Sequence, residues 1–306
     1  MNRRDFLGAS TGGGIMLNAI QTVAQQNPYQ TTPNADLKLK VLATNWGFLG
    51  TTDAFCAAAK KEGYDGIEMW WPTEKKDQQE LFTALDKYQL AIGFLCGGYQ
   101  KDAKEHLETF KKAVNAAVLS SHKPLYINCH SGRDYFTYEQ NKLFIDHTTE
   151  ASQKSGIKIL HETHRGRMLF AAHIAHNFID KNPALRLTLD ISHWCNVHES
   201  LLEDQTEAVQ AALARVDHIH SRIGHQEGPQ VNDPRAPEWE STVKAHLAWW
   251  DKVVEYKIKS GDTLTILTEF GPPNYLPTLP YTKQPLADQW GINVYMMQML
   301  RKRYLK

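Results

Sequence analysis

The sequence predicts an α/β fold, a single-domain (β/α)8 TIM barrel, on three observations. Short apolar runs rich in β-branched residues alternate with longer amphipathic stretches, which is typical of parallel strands joined by crossover helices. Eight such strand-then-helix units follow one another, and eight units fit a closed barrel better than an open sheet. No linker, low-complexity tract or sequence repeat interrupts them, so a single domain is expected.

The elements are expected in a fixed order along the chain. Apolar runs that end in turn residues predict strands, and apolar residues at helical spacing predict helices. The predicted strands are residues 39–48, 66–72, 90–98, 124–132, 157–166, 185–194, 216–224 and 264–273. The predicted helices are residues 52–64, 75–89, 102–120, 137–156, 168–182, 200–215, 239–261 and 286–305. A long loop, residues 225–238, lengthens the seventh unit.

The N-terminus has the character of a targeting segment rather than of the barrel. Arg3 and Arg4, followed by Asp-Phe-Leu and a weakly hydrophobic, glycine-rich stretch, resemble a twin-arginine export signal. We therefore predict a signal peptide over residues 1–24, a mature N-terminal segment over 25–37 and the barrel over 38–306. The expected location is the periplasm. Twin-arginine export moves folded proteins, which suits a chain that acquires a metal before it leaves the cytoplasm.

Charge and hydropathy argue against two classes of partner. The chain of 306 residues has 34 basic and 34 acidic residues, so its formal net charge is zero. Proteins that hold phosphate backbones by electrostatics are usually basic, so no nucleic-acid partner is expected. No apolar run approaches the ~20 residues that a membrane span requires, so no span is expected either.

Polar residues end the last four predicted strands on the side that faces the barrel interior. Side chains alternate between the two faces of a strand, and this alternation places Glu162, Asp190, His220 and Glu269 on the inward face. Active sites of such barrels lie at the C-terminal ends of the strands, where these residues should meet. Three crowded carboxylates repel one another, and a divalent cation relieves the repulsion. Three oxygen donors and one imidazole favour Mn²⁺, with Zn²⁺, Co²⁺ and Mg²⁺ as alternatives.

The segments LHETHRGR, LDISHW, HIHSRIGH and LTEFGPP resemble motifs of the sugar phosphate isomerase/epimerase superfamily, the xylose isomerase-like barrels. In the ketose 3-epimerases of that superfamily, four such residues bind one Mn²⁺. The resemblance implies this role for Glu162, Asp190, His220 and Glu269. It also implies that Glu162 and Glu269 act as acid and base on opposite faces of the substrate, and that His193 contacts the substrate. Sugar isomerase barrels often dimerise, so a homo-oligomer is a further expectation.

The chain also departs from the ketose 3-epimerase pattern. Those enzymes have another Glu six residues after the first metal ligand, where this chain has Met168. Arg165 and Arg167 lie in between, and Arg222 shares the inward face with His220. These arginines could bind a carboxylate or phosphate of the substrate, or form salt bridges at the rim.

Aromatic and imidazole side chains near other strand ends are predicted to complete a carbohydrate pocket. Aromatic faces stack on the C–H surfaces of sugars, although a single Trp or His can equally be a core residue. The predicted substrate-binding residues are His193, Arg222, His130, His164, Arg165, Trp46 and Trp70. Glu68, inward on the second strand, is expected to form a buried hydrogen bond.

These residues predict proton abstraction next to a sugar carbonyl, through an enediolate, by a metal-dependent isomerase or epimerase. The alternative is a lyase or hydratase that acts on 3-keto-glycosides, because the same enediolate can expel a leaving group. Two further functions are less favoured. One is that of an exported sugar-binding protein, and the second is that of an endonuclease IV-like DNA repair enzyme. The repair enzymes need additional histidines, and the third strand here ends in CGGY.

Overall fold

Eight parallel strands close into a barrel in a computed structural model that describes residues 36–305. The strands are β1 (Leu39–Thr44), β2 (Gly66–Trp70), β3 (Ala91–Gly97), β4 (Tyr126–His130), β5 (Lys158–Glu162), β6 (Leu187–Leu189), β7 (Val216–His220) and β8 (Leu264–Thr268). They pair in chain order, and β8 pairs with β1 to complete the barrel. The predicted fold class is therefore confirmed. The predicted signal peptide, residues 1–24, lies outside the described residues.

Helices follow each strand. They are α1 (Thr52–Glu62), α2 (Lys75–Tyr88), α3 (Ala103–Val118), α4 (Tyr138–Ser155), α5 (Ala172–Lys181), α6 (Ser192–His198), α7 (Thr206–Leu213), α8 (Glu240–Ser260) and α9 (Gln289–Tyr304). A short 3₁₀ turn, Pro237–Trp239, precedes α8. None of the helices within residues 36–305 is long and apolar enough to cross a membrane.

Local sequence signals set several helix boundaries. Thr137 and Gln140 form a reciprocal capping box that starts α4. Asp102 accepts hydrogen bonds from two backbone N–H groups at the start of α3. Gly63 ends α1 with φ of 92°, a left-handed conformation that glycine adopts without steric cost.

The sixth unit differs from its prediction. The strand predicted over residues 185–194 is only the three residues of β6, and the helix predicted over 200–215 is two helices, α6 and α7. The carboxylate of Asp190 accepts a hydrogen bond from the backbone N–H of Ser192 at 3.2 Å. This side-chain contact turns the chain away from the strand direction and into α6.

The barrel interior changes from apolar to polar along its axis. A small cluster of Leu42, Tyr126, Leu160 and Leu267 fills the interior. Two residues further along the same strands, the inward side chains include Asn128 and Glu162. A larger apolar layer packs between the strands and the surrounding helices. The packed interior therefore supports a polar site at the C-terminal mouth of the barrel.

Candidate active site

The four predicted metal ligands meet at the C-terminal mouth. Glu162 and His220 end β5 and β7, while Asp190 and Glu269 directly follow β6 and β8. His220 Nδ1 lies 2.9 Å from Glu269 Oε2 and 3.8 Å from Glu162 Oε1. One donor atom each of Glu162, Asp190 and His220 lies within 4.8 Å of the others. We call these four residues the mouth cluster.

Two atoms of the mouth cluster lack hydrogen-bond partners. His220 Nδ1 and Glu269 Oε2 are buried, and neither makes a hydrogen bond with any described residue although they lie close together. Burial alone would lower the pKa of His220, but Glu269, Glu162 and Glu68 raise it well above its usual value. The site therefore favours added positive charge. Its oxygen and imidazole donors fit a divalent cation.

Glu162 is held as a carboxylate by its neighbours. Asn128 Nδ2 donates a hydrogen bond to Glu162 Oε2 at 2.7 Å, and His130 Nε2 lies 3.0 Å from the same oxygen. Burial would raise the pKa of Glu162, yet His130 and His220 hold it well below its usual value. These neighbours favour the carboxylate form of Glu162, the form that a metal ligand or a base requires.

Glu68 of β2 supports His220 from below the mouth cluster. Its Oε1 lies 3.3 Å from His220 Nε2, and its Oε2 lies 3.5 Å from His218 Nε2. Burial would raise the pKa of Glu68, but His220 and His218 lower it to about 2. If His220 held a cation through Nδ1, its proton would lie on Nε2, where the Glu68 carboxylate could accept a hydrogen bond. Metal-binding histidines commonly have such a partner, which fixes the ring orientation.

Arg222 lies between two carboxylates of the mouth cluster. Its guanidinium forms an ion pair with the carboxylate of Asp190, and Nη2 lies 3.5 Å from Glu269 Oε2. Burial, together with Glu269 and Glu162, raises the pKa of Asp190 to about 6, although Arg222 opposes this rise. Arg222 therefore offsets part of the negative charge.

A cavity of about 440 Å³ opens above the mouth cluster, a size typical of small-molecule sites. Glu162 and Glu269 are among the residues that line it, whereas Asp190 and His220 are buried and are not. Five residues of the predicted substrate-binding set line it. They are Trp46, Trp70, His130, His164 and Arg222. Trp46 and Trp70 are partly exposed, so their rings are available to a ligand.

His193 and Arg165 do not line this cavity. His193 belongs to helix α6, is completely buried, and packs behind His164 at a ring-centroid distance of 3.9 Å. Arg165 donates a hydrogen bond to Asn196 Oδ1 at 2.9 Å, and its guanidinium lies 5.3 Å from the ring centre of Tyr275. Both support the wall, and their contact with substrate stays a prediction.

The sequence reasoning missed two residues of the site. Tyr275 lines the cavity, and the Arg222 guanidinium lies 4.8 Å from its ring centre. Tyr275 stands in a loop after β8, where no periodic pattern marks it. Asn128 could have been found, because it is a polar residue on the inward face of β4, as Glu162 is on β5.

Comparison with known proteins identifies the family to which the chain belongs. The family described as xylose isomerase-like TIM barrel matches residues 56–225, which is more than half of the chain. None of the curated proteins matches the sequence significantly.

Solved structures of several proteins share the fold. The 3-keto-D-glucoside 4-epimerase of E. coli has a TM-score of 0.56 at 14% identity, covering 86% of this chain and 99% of its own. A D-tagatose 3-epimerase-like protein has a TM-score of 0.53 at 15% identity, covering 87% and 97%. Endonuclease IV from Thermus thermophilus has a TM-score of 0.52 at 11% identity, covering 87% and 99%. At these identities the likeness shows the fold, and function must be argued from the site.

Proposed function

Because the chain belongs to the xylose isomerase-like TIM barrel family, we propose that it is a metal-dependent enzyme that isomerises or epimerises a sugar. The reaction proposed is removal of a proton next to a carbonyl, through an enediolate. One observation carries the proposal. Glu162 and Glu269 line an aromatic-walled cavity, and their carboxylates lie 3.8 Å and 2.9 Å from His220 Nδ1, a buried atom that has no hydrogen-bond partner among the described residues.

The mouth cluster would hold the cation, with Mn²⁺ as the first choice and Zn²⁺, Co²⁺ or Mg²⁺ as alternatives. When bound, the cation would polarise the sugar carbonyl and offset the negative charge that develops as the proton leaves. Two contacts orient the side chains that would bind the cation. Glu68 orients His220, and Asn128 holds the carboxylate of Glu162.

Glu162 and Glu269 are the proposed proton carriers. They reach the cavity from different strands, β5 and β8, so they approach a bound ring from different directions. One carboxylate takes the proton from carbon, and the other returns a proton to the same carbon, which inverts that centre. Return of the proton to the neighbouring carbon gives isomerisation instead.

Metal analysis followed by incubation with sugars in D₂O tests the proposal. We expect about one divalent ion per chain, loss of turnover after chelation, and recovery when Mn²⁺ is added back. NMR should show solvent deuterium at the carbon next to the carbonyl. Turnover that survives complete metal removal would contradict the proposal. Release of an aglycone from a 3-keto-glycoside would identify the lyase alternative.

We also propose that residues 1–24 direct export to the periplasm, on the basis of Arg3 and Arg4, the Asp-Phe-Leu that follows them and the weakly hydrophobic, glycine-rich stretch after it. Fractionation of cells that express the full chain tests this. The Arg3→Lys, Arg4→Lys double variant should accumulate in the cytoplasm. Equal periplasmic amounts of both proteins would contradict the assignment.

A further inference from the structure

Two exposed aromatic rings extend the cavity wall outward. Trp70, at the end of β2, lines the cavity, and Tyr99, in the loop after β3, is 64% exposed beyond it. Their ring centroids are 5.9 Å apart, and their planes are inclined at 43°. We call this pair the aromatic shelf.

One imidazole connects the aromatic shelf to Glu162 of the mouth cluster. The Trp70 ring packs edge-on against the imidazole of His130, with centroids 5.2 Å apart. His130 Nε2 in turn lies 3.0 Å from Glu162 Oε2. The path from the carboxylate to the shelf therefore passes through a single imidazole.

Buried and half-buried arginines hold the loop that carries Tyr99. Arg167, which is 5% exposed, donates a hydrogen bond from Nη1 to the carbonyl of Gly98 at 3.0 Å. Its guanidinium lies 5.4 Å from the Tyr99 ring centre. Arg133 Nη2 donates to the carbonyl of Tyr99 at 3.1 Å. These contacts come from the loops after β4 and β5. The two hydrogen bonds hold the backbone of Gly98 and Tyr99, and the Arg167 guanidinium lies beside the Tyr99 ring.

A ring that is both exposed and held in place is prepared for binding, because less conformational entropy is lost when a ligand orders it. Exposure without such restraint is ordinary for a surface Tyr. The two arginine contacts therefore distinguish Tyr99 from Tyr281, which is fully exposed in the loop after β8.

We propose that the aromatic shelf binds a second sugar ring, joined by a glycosidic bond to the ring that reacts at the mouth cluster. The substrate is then a disaccharide or longer saccharide rather than a free monosaccharide. This inference rests on the proposed function, because the mouth cluster defines which ring reacts.

The shape of the aromatic shelf supports a saccharide ring. Planes inclined at 43° form a wedge rather than a flat stacking surface. A puckered pyranose presents C–H groups on two sides and can contact both rings, whereas a planar aromatic group would stack on one. Stacking of this kind needs no charge on the ligand.

Calorimetry on the metal-loaded protein tests the inference with defined probes. The probes are five disaccharides: cellobiose, maltose, lactose, trehalose and sucrose. The affinity for each is compared with the affinities for the methyl glycosides of the monosaccharides that it contains. At least one disaccharide should bind about tenfold more tightly than its monosaccharide, the factor that one aromatic contact supplies. Tyr99→Ala should remove this advantage and leave monosaccharide affinity unchanged.

Two matched variants control for the fold and for the ring. Tyr99→Phe keeps the aromatic face and should retain the advantage. Tyr281→Ala removes an exposed ring elsewhere and should also retain it. The inference is overturned if no disaccharide in the panel binds better than its monosaccharide, or if Tyr99→Ala weakens both ligands equally.

The same titrations in Glu269→Gln separate this inference from the proposed function. A disaccharide preference that persists in this variant belongs to the aromatic shelf and not to the chemistry. If metal analysis and deuterium exchange fail while the preference stands, the proposed reaction is wrong and the saccharide subsite remains. If exchange succeeds without any preference, the subsite is wrong and the reaction remains.

Discussion

Strand β7 carries two buried ionisable side chains whose surroundings differ. Near its N-terminal end, Asp217 faces outward to the helices, and at its C-terminal end, His220 faces the barrel interior. Asp217 lies among three cations, Lys257, Arg186 and Lys158. We call these four residues the base cluster.

The two clusters differ in whether all their buried polar atoms have hydrogen-bond partners within the described part of the chain. In the base cluster, one Asp217 oxygen contacts Lys257 and Lys158, and the other accepts a hydrogen bond from Arg186 at 2.7 Å. In the mouth cluster, the buried His220 Nδ1 and Glu269 Oε2 have no hydrogen-bond partner among the described residues. Buried polar atoms are normally paired, so the unpaired set indicates a site that binds something else.

The largest expected effect is on catalysis, from Glu269→Gln. The variant keeps the shape of the side chain and removes the carboxylate that we propose takes or returns a proton, so kcat should fall by about 10²–10⁴-fold. The melting temperature should stay the same or rise, because one of several crowded negative charges is lost. Deuterium exchange and calorimetric unfolding measure the two quantities.

Glu255→Gln is the matched control for that variant. Glu255 lies on the surface of α8 and forms an exposed ion pair with Lys252. Loss of the Glu255 carboxylate should leave kcat unchanged. If Glu269→Gln exchanged deuterium with solvent at the rate of the wild type, Glu269 would not be a proton carrier in the reaction.

The next largest effect is on stability, from Asp217→Asn. This change leaves the buried Lys257 ammonium without its carboxylate, and the free energy of unfolding should fall by about 3 kcal/mol. Chemical denaturation measures this loss, while kcat of the folded enzyme should remain that of the wild type. A large fall in kcat with unchanged stability would reverse the roles assigned to the two clusters.

The base cluster also predicts a pH dependence of stability. Burial would raise the pKa of Asp217, but Arg186 and Lys257 lower it below its usual value of 3.8. The carboxylate therefore contributes stability above about pH 4, and the contribution is lost as the pH falls toward the lowered pKa. The difference in free energy of unfolding between wild type and Asp217→Asn should be smaller at pH 3 than at pH 7, because part of the contribution of the carboxylate is already lost at pH 3. A difference between the two proteins that is unchanged at low pH would contradict this.

A smaller effect is expected for metal affinity, from Glu68→Gln. Glutamine cannot carry the charge that holds the proton on His220 Nε2, so metal affinity should fall by about 10–100-fold. Competition with a chromophoric chelator measures the affinity without any assay of turnover. Unchanged affinity would show that Glu68 serves packing alone.

The smallest effect should come from an ion pair on the surface. Lys142 and Asp146 form an exposed pair on α4, where solvent screens the charges. Asp146→Asn should leave the denaturation midpoint and kcat unchanged within error. A clear loss of stability would mean that exposure is a poor guide to which charge pairs matter in this barrel.

Much of the fold was predictable because its signals are local. Alternating apolar strands and amphipathic helices identified all eight units, and the inward phase of β5, β7 and β8 identified Glu162, His220 and Glu269. The sixth unit was mispredicted because Asp190 bonds the backbone N–H of Ser192 and ends the strand after three residues. A hydrogen bond from side chain to backbone can end a strand even where the apolar periodicity continues, and periodicity alone does not reveal such a bond.

The sequence by itself determined the barrel and the residue types at its mouth, because strand periodicity and the direction of parallel strands are properties of the chain. Only the tertiary structure decided which polar atoms are paired. Arg222 reaches Asp190, Glu68 reaches His220, and Arg167 holds the loop of Tyr99 across large separations in sequence. Such pairings depend on angstrom-scale distances between side chains from different strands and loops, which no local pattern encodes.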